Sequence, residues 1–322
     1  MIRKVTLAVA AAGVAGAAAL SLAAMSASAT PMPAASHGYR FTTIDNANDL
    51  TFNQLLGINQ DGVIAGYFGS GMAGHPNKGY LVRMPYHQHN FRNENFPGSV
   101  QTQVTGLNDV GNTVGFWANS AGANFGFYTS ASGNFHEVNF PNVPNASPQM
   151  DQLLGINDHG VAVGFFTNSS GNARGYLYNI HSHMFTRVVQ PGVMLSPTTP
   201  SLTATAINNH GWVAGFYVTG GGKTDGFVTY GHTFKKLAYP GATMTQAFGV
   251  NDSGEVVGAY TVGTGTAAQS FGFTWSYGHG FKSVSDPHGI GTTIINGVNA
   301  HGDLVGFYVN GANTDGFLAR TK

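Results

Sequence analysis

Gly155-Ile156-Asn157-Asp158-His159-Gly160-Val161-Ala162-Val163-Gly164 is one of six copies of a single pattern. Its counterparts begin at Gly57, Gly106, Ala206, Gly249 and Gly297. The asparagines Asn59, Asn108, Asn157, Asn208, Asn251 and Asn299 are 49, 49, 51, 43 and 48 residues apart. A repeat of this length, built from short apolar segments, predicts an all-β fold: a six-bladed β-propeller of four-stranded blades.

Working outward from Asn157, Gln152 to Ile156 reads as an apolar strand. Asn157-Asp158-His159-Gly160 is a tight turn, with Asn able to bond backbone amides ahead of it and Gly able to take positive φ. Val161 to Phe166 is the second strand, Thr167 to Ala173 a polar loop, and Gly175 to Tyr178 the third strand. Asn179 to His183 forms a hairpin tip. Phe185 to Val189 alternates apolar and polar and reads as a half-exposed outer strand, which Gln190-Pro191-Gly192 ends. The repeats fall near 48–97, 98–142, 143–192, 193–241, 242–288 and 289–320. The last copy lacks an outer strand, and residues 39–46 carry the missing pattern. The last blade is therefore expected to be closed by the N-terminal strand, which removes an exposed sheet edge.

The first 29 residues read differently. Arg3 and Lys4 precede an unbroken small and apolar run from Val5 to Ala24, and Ala27-Ser28-Ala29 offers a small-x-small cleavage site. This is the layout of a secretory signal peptide, followed by a short linker, residues 30–38. Cleavage leaves 14 acidic residues and removes two of 14 basic ones, for a formal charge of −2. Charged residues are 9% of the chain, far below the ~25% of ordinary domains. With no basic stripe, nucleic acid is excluded as a partner, and no membrane insertion is expected after cleavage. Cysteine is absent, so stability rests on the core and on closure of the fold. A secreted or cell-envelope monomer is the expectation.

The turn residues between each Asn and Gly are Gln-Asp, Asp-Val, Asp-His, Asn-His, Asp-Ser and Ala-His. A calcium loop needs oxygen ligands at fixed positions, so the turn reads as backbone chemistry. The alternating pairs His87/His89 and His181/His183 lack an evident third ligand. No metal and no cofactor are expected. Among candidate binding residues, Gln54, Gln103, Gln152 and Gln246 occupy one equivalent place at the start of four inner strands. Trp117, Tyr217, Tyr260 and Tyr308 follow the strand-two glycines and combine an apolar face with a polar handle. No nucleophile motif is present. Asp49 and Asp151 are the carboxylates that an acid/base pair at a channel mouth would use.

The repeat consensus, Gly-Ile-Asn-x-x-Gly-x-Val-Val-Gly followed by an aromatic strand, resembles the HAF-type bacterial extracellular repeats over residues 39–320. Phe271-Gly272-Phe273-Thr274-Trp275, Gly280-Phe281 and Gly297-Val298-Asn299 carry the resemblance best. The chain departs from it by placing Gly-Phe or Gly-Tyr where the family has His-Ala-Phe, and only Trp275 takes the tryptophan place. The resemblance implies repeat architecture and an extracellular location, with no reaction attached. Three functions remain open from sequence: a secreted non-catalytic binding propeller recognising a glycan or a surface protein through the loop-rich face, a carbohydrate-active hydrolase or lyase, and a structural cell-envelope or matrix protein.

Overall fold

A computed structural model describes residues 38–141, 149–196, 198–231 and 233–322. The signal-peptide reading of residues 1–29 lies outside the described residues. So do most of the linker and the middle of the Pro141–Met150 loop. The fold is all-β and propeller-type, and the helices among the described residues are two single 3-10 turns, Gln88–Asn90 and Gly265–Ala267. Each asparagine repeat opens an antiparallel meander. In the third these strands are Asp151–Ile156, Val161–Thr167, Ala173–Asn179 and Phe185–Arg187. Three meanders form separate four-stranded sheets, and three others share one twelve-stranded sheet. Single parallel bridges, Arg174 with Leu202 and Thr224 with Met244, join these last three.

The repeat has a backbone cause. Gly160 has φ of +71°, and every equivalent turn glycine is also at positive φ. Asn157 Oδ1 accepts from the backbone N–H of His159 at 3.1 Å and of Val161 at 3.0 Å, which holds the turn. The inner strand then slips register between Leu153 and Gly155. This bulge drives the Gln152 carbonyl against Gly164, where an added Cβ would lie 2.0 Å from it. The same clash recurs at all six strand-two glycines, so the position tolerates no side chain.

The asparagines also link neighbours. The amide nitrogen of Asn59 donates to Asn108 O at 3.3 Å, Asn108 to Asn157 O at 2.9 Å and Asn157 to Asn208 O at 3.0 Å. Asn208 donates to Asn251 O at 2.9 Å, Asn251 to Asn299 O at 3.0 Å, and Asn299 back to Asn59 O at 3.2 Å. Each asparagine thus holds its own turn with its oxygen and the next meander with its nitrogen.

Tyr39–Thr43 pairs antiparallel with Asn313–Thr321, from Tyr39 opposite Thr321 to Thr43 opposite Phe317. Ile44 N–H continues the pairing to Gly316 O at 2.9 Å, and Asp45 Oδ1 accepts from Gly316 N–H at 2.9 Å. The core lies between meanders. Val114 and Tyr128 of the second pack with Leu153 and Tyr176 of the third, and Ile44, Leu55 and Tyr80 pack with Val305 and Leu318. Each such fully buried large side chain contributes about 1.5–3 kcal/mol, so the contact between neighbours is a main source of stability.

Candidate functional site

The glutamines face neighbouring side chains. Gln103 Nε2 donates to Asn77 Oδ1 at 2.9 Å and Gln152 Nε2 to Asn124 Oδ1 at 3.0 Å, each reaching the preceding meander. Gln54 Oε1 accepts from the Tyr67 hydroxyl at 2.9 Å. All three are buried. Gln246 is half-buried at the same register position, opposite Ala259. Two of these amides thus join the preceding repeat, while Gln54 Nε2 and Gln103 Oε1 have no partner among the described residues. The space where the six repeats meet is also narrow: two cavities of about 100 and 90 Å³, lined by residues from all six repeats. Ligand pockets run to roughly 300–1,000 Å³.

The strand-two aromatics are mostly packing. Trp117 stacks between Phe96 at 4.9 Å and Phe125 at 4.7 Å. Tyr260 stacks on Tyr239 and meets Ser283 Oγ at 2.9 Å. Tyr308 meets Thr43 Oγ1 at 2.9 Å. Of the four, Tyr217 borders one of the two larger cavities described.

Asp49 and Asp151 belong to separate networks. Asp49 accepts from Thr51 N–H at 2.9 Å and contacts His75 Nδ1 at 3.0 Å. Burial raises its carboxyl, but the bonds from Thr51 and His75 outweigh burial and hold it below the ordinary value. Asp151 is fully buried and accepts from Tyr176 O–H at 2.5 Å and Phe140 N–H at 2.6 Å. Its counterparts Asn53, Thr102, Thr245 and Thr293 likewise accept from the backbone N–H of Asn46, Phe96, Tyr239 and Asp286. The position therefore ties an outer strand to the next inner strand at five of the six junctions, Leu202 standing at the other. Among the described residues no group of three or more acidic or histidine side chains is placed to hold a metal, and no helix is long and apolar enough to cross a membrane.

Burial raises the Asp151 and Asp45 carboxyls to about 7, and also raises Glu255, Asp286 and Asp315. An acid with a higher pKa in the fold than in the unfolded chain favours folding below about pH 4, and that contribution is lost as pH rises through 7. The urea midpoint is therefore expected to fall between pH 5 and pH 8, with a shallower fall in Asp151→Asn. A midpoint that rises over this interval in the wild type contradicts the assignment.

The largest cavity described, about 670 Å³, lies on the face of the turns and hairpin tips, between the fourth and fifth meanders. Trp212 and Tyr230 form one side; Glu255, Trp275, Tyr277 and His279 form the other. Trp212 follows a turn glycine, where the other repeats place Val63, Asn112, Val161, Glu255 and Asp303. Its indole lies over Gly254, where a Cβ would come within 2.6 Å of Cζ3. Tyr230 is edge-on to both Trp212, at 5.3 Å, and Tyr277, at 6.3 Å. The Tyr230 hydroxyl is enclosed without a partner among the described residues, and Tyr277 is 75% exposed. Burial raises the Glu255 carboxyl, partly opposed by Lys282. Glu255 is the one carboxylate among the lining residues.

A second cavity, about 420 Å³, lies on the opposite, loop-bearing face between the third and fourth meanders, bordered by Arg174, Arg187 and Tyr217.

No family model and no curated protein sequence matches this chain. Among solved structures it is similar to the SapL1 lectin in complex with alpha methyl fucoside, with 10% identity, a TM-score of 0.51, and coverage of 82% of this chain and 90% of that one. It is also similar to a streptogramin B lyase, with 10% identity, a TM-score of 0.49, and coverage of 88% and 98%. The β-propeller domain of the Trilobed protease from Pyrococcus furiosus matches with 7% identity, a TM-score of 0.43, and coverage of 84% and 94%. The likeness extends to an all-β, propeller-type fold and no further.

Proposed function

We propose that this chain is a secreted, six-bladed propeller that binds a glycan without cleaving it, in the cleft of Trp212, Tyr230 and Tyr277. Two observations support the blade count. The asparagine hydrogen bonds run through six repeats and return to Asn59. The bridges that merge three meanders are single-residue contacts, and isolated parallel bridges of the same kind, Phe52 with Thr314, Asn124 with Met150 and Ser270 with Thr292, occur at other junctions. The twelve-stranded sheet is accordingly three blades in lateral contact. The HAF-type repeat assignment and extracellular location belong to the same proposal.

The observation that carries the function is the composition of the cleft. Aromatic faces from two neighbouring repeats flank an opening with Glu255, Ser253, Ser276 and His279 at its edges. Aromatic rings stack on the apolar faces of pyranoses, while carboxylate, hydroxyl and imidazole groups bond the sugar hydroxyls. Hydrolysis by the common two-carboxylate route needs an acid/base or acid/nucleophile pair. The cleft has a single carboxylate, so retention is favoured over turnover.

A glycan array followed by calorimetry on the strongest hit tests this reading. Trp212→Ala is expected to weaken binding about thirty-fold, or about 2 kcal/mol. The proposal fails if no glycan binds, if the hit is consumed, or if Trp212→Ala folds and binds like the wild type.

A further inference from the structure

Trp212 and Glu255 hold the same place in two successive repeats, the residue that follows the turn glycine. Both line the cleft of about 670 Å³. Gly254, over which the indole lies, directly precedes Glu255, so the ring is seated beside the residue that carries the carboxylate. The repeat asparagine pins the backbone of Glu255. Its N–H donates to Asn251 Oδ1 at 2.9 Å, and its carbonyl accepts from Asn251 N–H at 3.1 Å. Glu255 is half-buried, and its carboxylate accepts no hydrogen bond and forms no ion pair among the described residues.

The next repeat shows how the fold compensates a carboxylate at this place. Asp303 is the equivalent residue, and Arg320 Nε lies 3.5 Å from its Oδ2. Leu304 pairs with Ala319 and Val256 with Trp275, so Arg320 and Ser276 occupy equivalent places, one residue beyond each pair. The fifth repeat therefore puts a small uncharged hydroxyl where the sixth puts a guanidinium, and Ser276 lines the cleft. No lysine or arginine is among the lining residues. Lys282 opposes the rise that burial gives the Glu255 carboxyl without cancelling it, and its own side chain is exposed, outside the lining. A half-buried carboxylate with no counter-ion against it is stabilised by a cation that can reach it.

The rings favour the same charge. Trp212, Tyr230, Trp275 and Tyr277 give the cleft four aromatic side chains. Their faces carry negative potential and attract an ammonium group within about 6 Å of a ring centre. Three classes of sugar separate on this chemistry. An acidic sugar sets like charges together. A neutral sugar can stack on the indole and donate hydroxyls to Glu255, but it leaves the charge uncompensated. An amino sugar stacks in the same way and adds three N–H donors and a positive charge where the guanidinium is missing.

We propose that the cleft selects a cationic amino sugar with its amine free, its ring on Trp212 and its ammonium on Glu255 beside Ser276. The inference rests on the glycan reading of this cleft and names the class of sugar.

The test is calorimetry on the mature chain with two tetramers, one of β-1,4-linked glucosamine and the same one fully N-acetylated, under conditions where NMR shows the free amines protonated. The glucosamine tetramer is expected to bind at least about tenfold more tightly. Glu255→Gln should weaken it about tenfold and bring the two affinities within about threefold of each other. Ser276→Arg, which restores the charge pairing of the sixth repeat, should have the same effect and serves if Glu255→Gln does not fold. An acetylated tetramer that binds as tightly as the free amine overturns the inference and leaves the glycan reading standing. So does a wild type that ignores both tetramers while binding another glycan of the array. A folded Glu255→Gln or Ser276→Arg chain that keeps the full preference for the amine also overturns it. If no glycan of any class binds, both readings fall together.

Discussion

Deletion of residues 30–46 should lower the melting temperature by roughly 10 °C and expose a sheet edge that drives association. The segment supplies five strand pairs, Tyr39 to Thr43, against Asn313–Thr321. Ile44, 4% exposed, and the edge-on packing of Phe41 against Phe317 at 5.5 Å leave with it. Five backbone pairs at about 1 kcal/mol each, with two large apolar side chains at about 1.5–3 kcal/mol each, are partly offset by the released chain entropy. A net loss of about 5 kcal/mol remains, and each kcal/mol shifts a domain of this size by about 2 °C. The loss is expected to be cooperative, because the same segment also bonds Tyr308 through Thr43. Differential scanning calorimetry with light scattering reads both effects. A truncated chain that stays monomeric with the melting point of the full chain contradicts the closure.

The second large effect is expected at the repeat asparagine. Asn157→Ala should cost about 2–3 kcal/mol, since one buried and two part-buried backbone groups lose their partner at once. Asn157 is 6% exposed; its oxygen serves His159 and Val161, and its nitrogen serves the carbonyl of Asn208 in the next repeat. Asn119 provides the control. It holds a similar loop turn, accepting from Ala121 at 2.9 Å and Ala123 at 3.1 Å, and its side chain reaches no neighbouring repeat. Asn119→Ala should cost about 1 kcal/mol, because water can replace its bonds. Urea unfolding of both variants decides the matter. Equal losses would mean that the contact between repeats adds nothing beyond the turn.

The contrast between these two asparagines also marks what was legible in the chain. The turn at Asn157 and Gly160 is local chemistry: one side chain and one positive φ act within five residues. Local chemistry repeats visibly, so the all-β, propeller-type class and the N-terminal outer strand could be read from spacing. The link from Asn157 to Asn208 O spans 51 residues and leaves no mark on spacing, because the acceptor is a backbone carbonyl that every residue owns.

The candidate sites show the same divide. The glutamines recur, and recurrence suggested a shared binding rim. Their recurrence has an internal cause: Gln103 and Gln152 meet asparagines of the preceding repeat at Asn77 and Asn124. Recurring side chains in a repeat array face recurring neighbours, so at Gln103 and Gln152 the repeated position joins one repeat to the next. Trp212 was legible only as a departure, an indole where the equivalent places hold small, acidic or amide side chains. Nothing in its own repeat indicates that Tyr277, 65 residues on, shares a cleft with it. Arg174 and Arg187 are likewise ordinary strand residues until the pairing of Tyr176 with Arg187 brings the outer strand beside the third.

Taken alone, the sequence determined the period, the turn and the strand that closes the chain, because those follow from backbone dihedrals and hydrogen bonds within a few residues. Tertiary structure decided which side chains remain open to a ligand. That depends on how adjacent repeats pack. The packing narrows the centre and leaves the two largest cavities described at two junctions, where Trp212 meets Tyr277 on one face and Arg187 meets Tyr217 on the other.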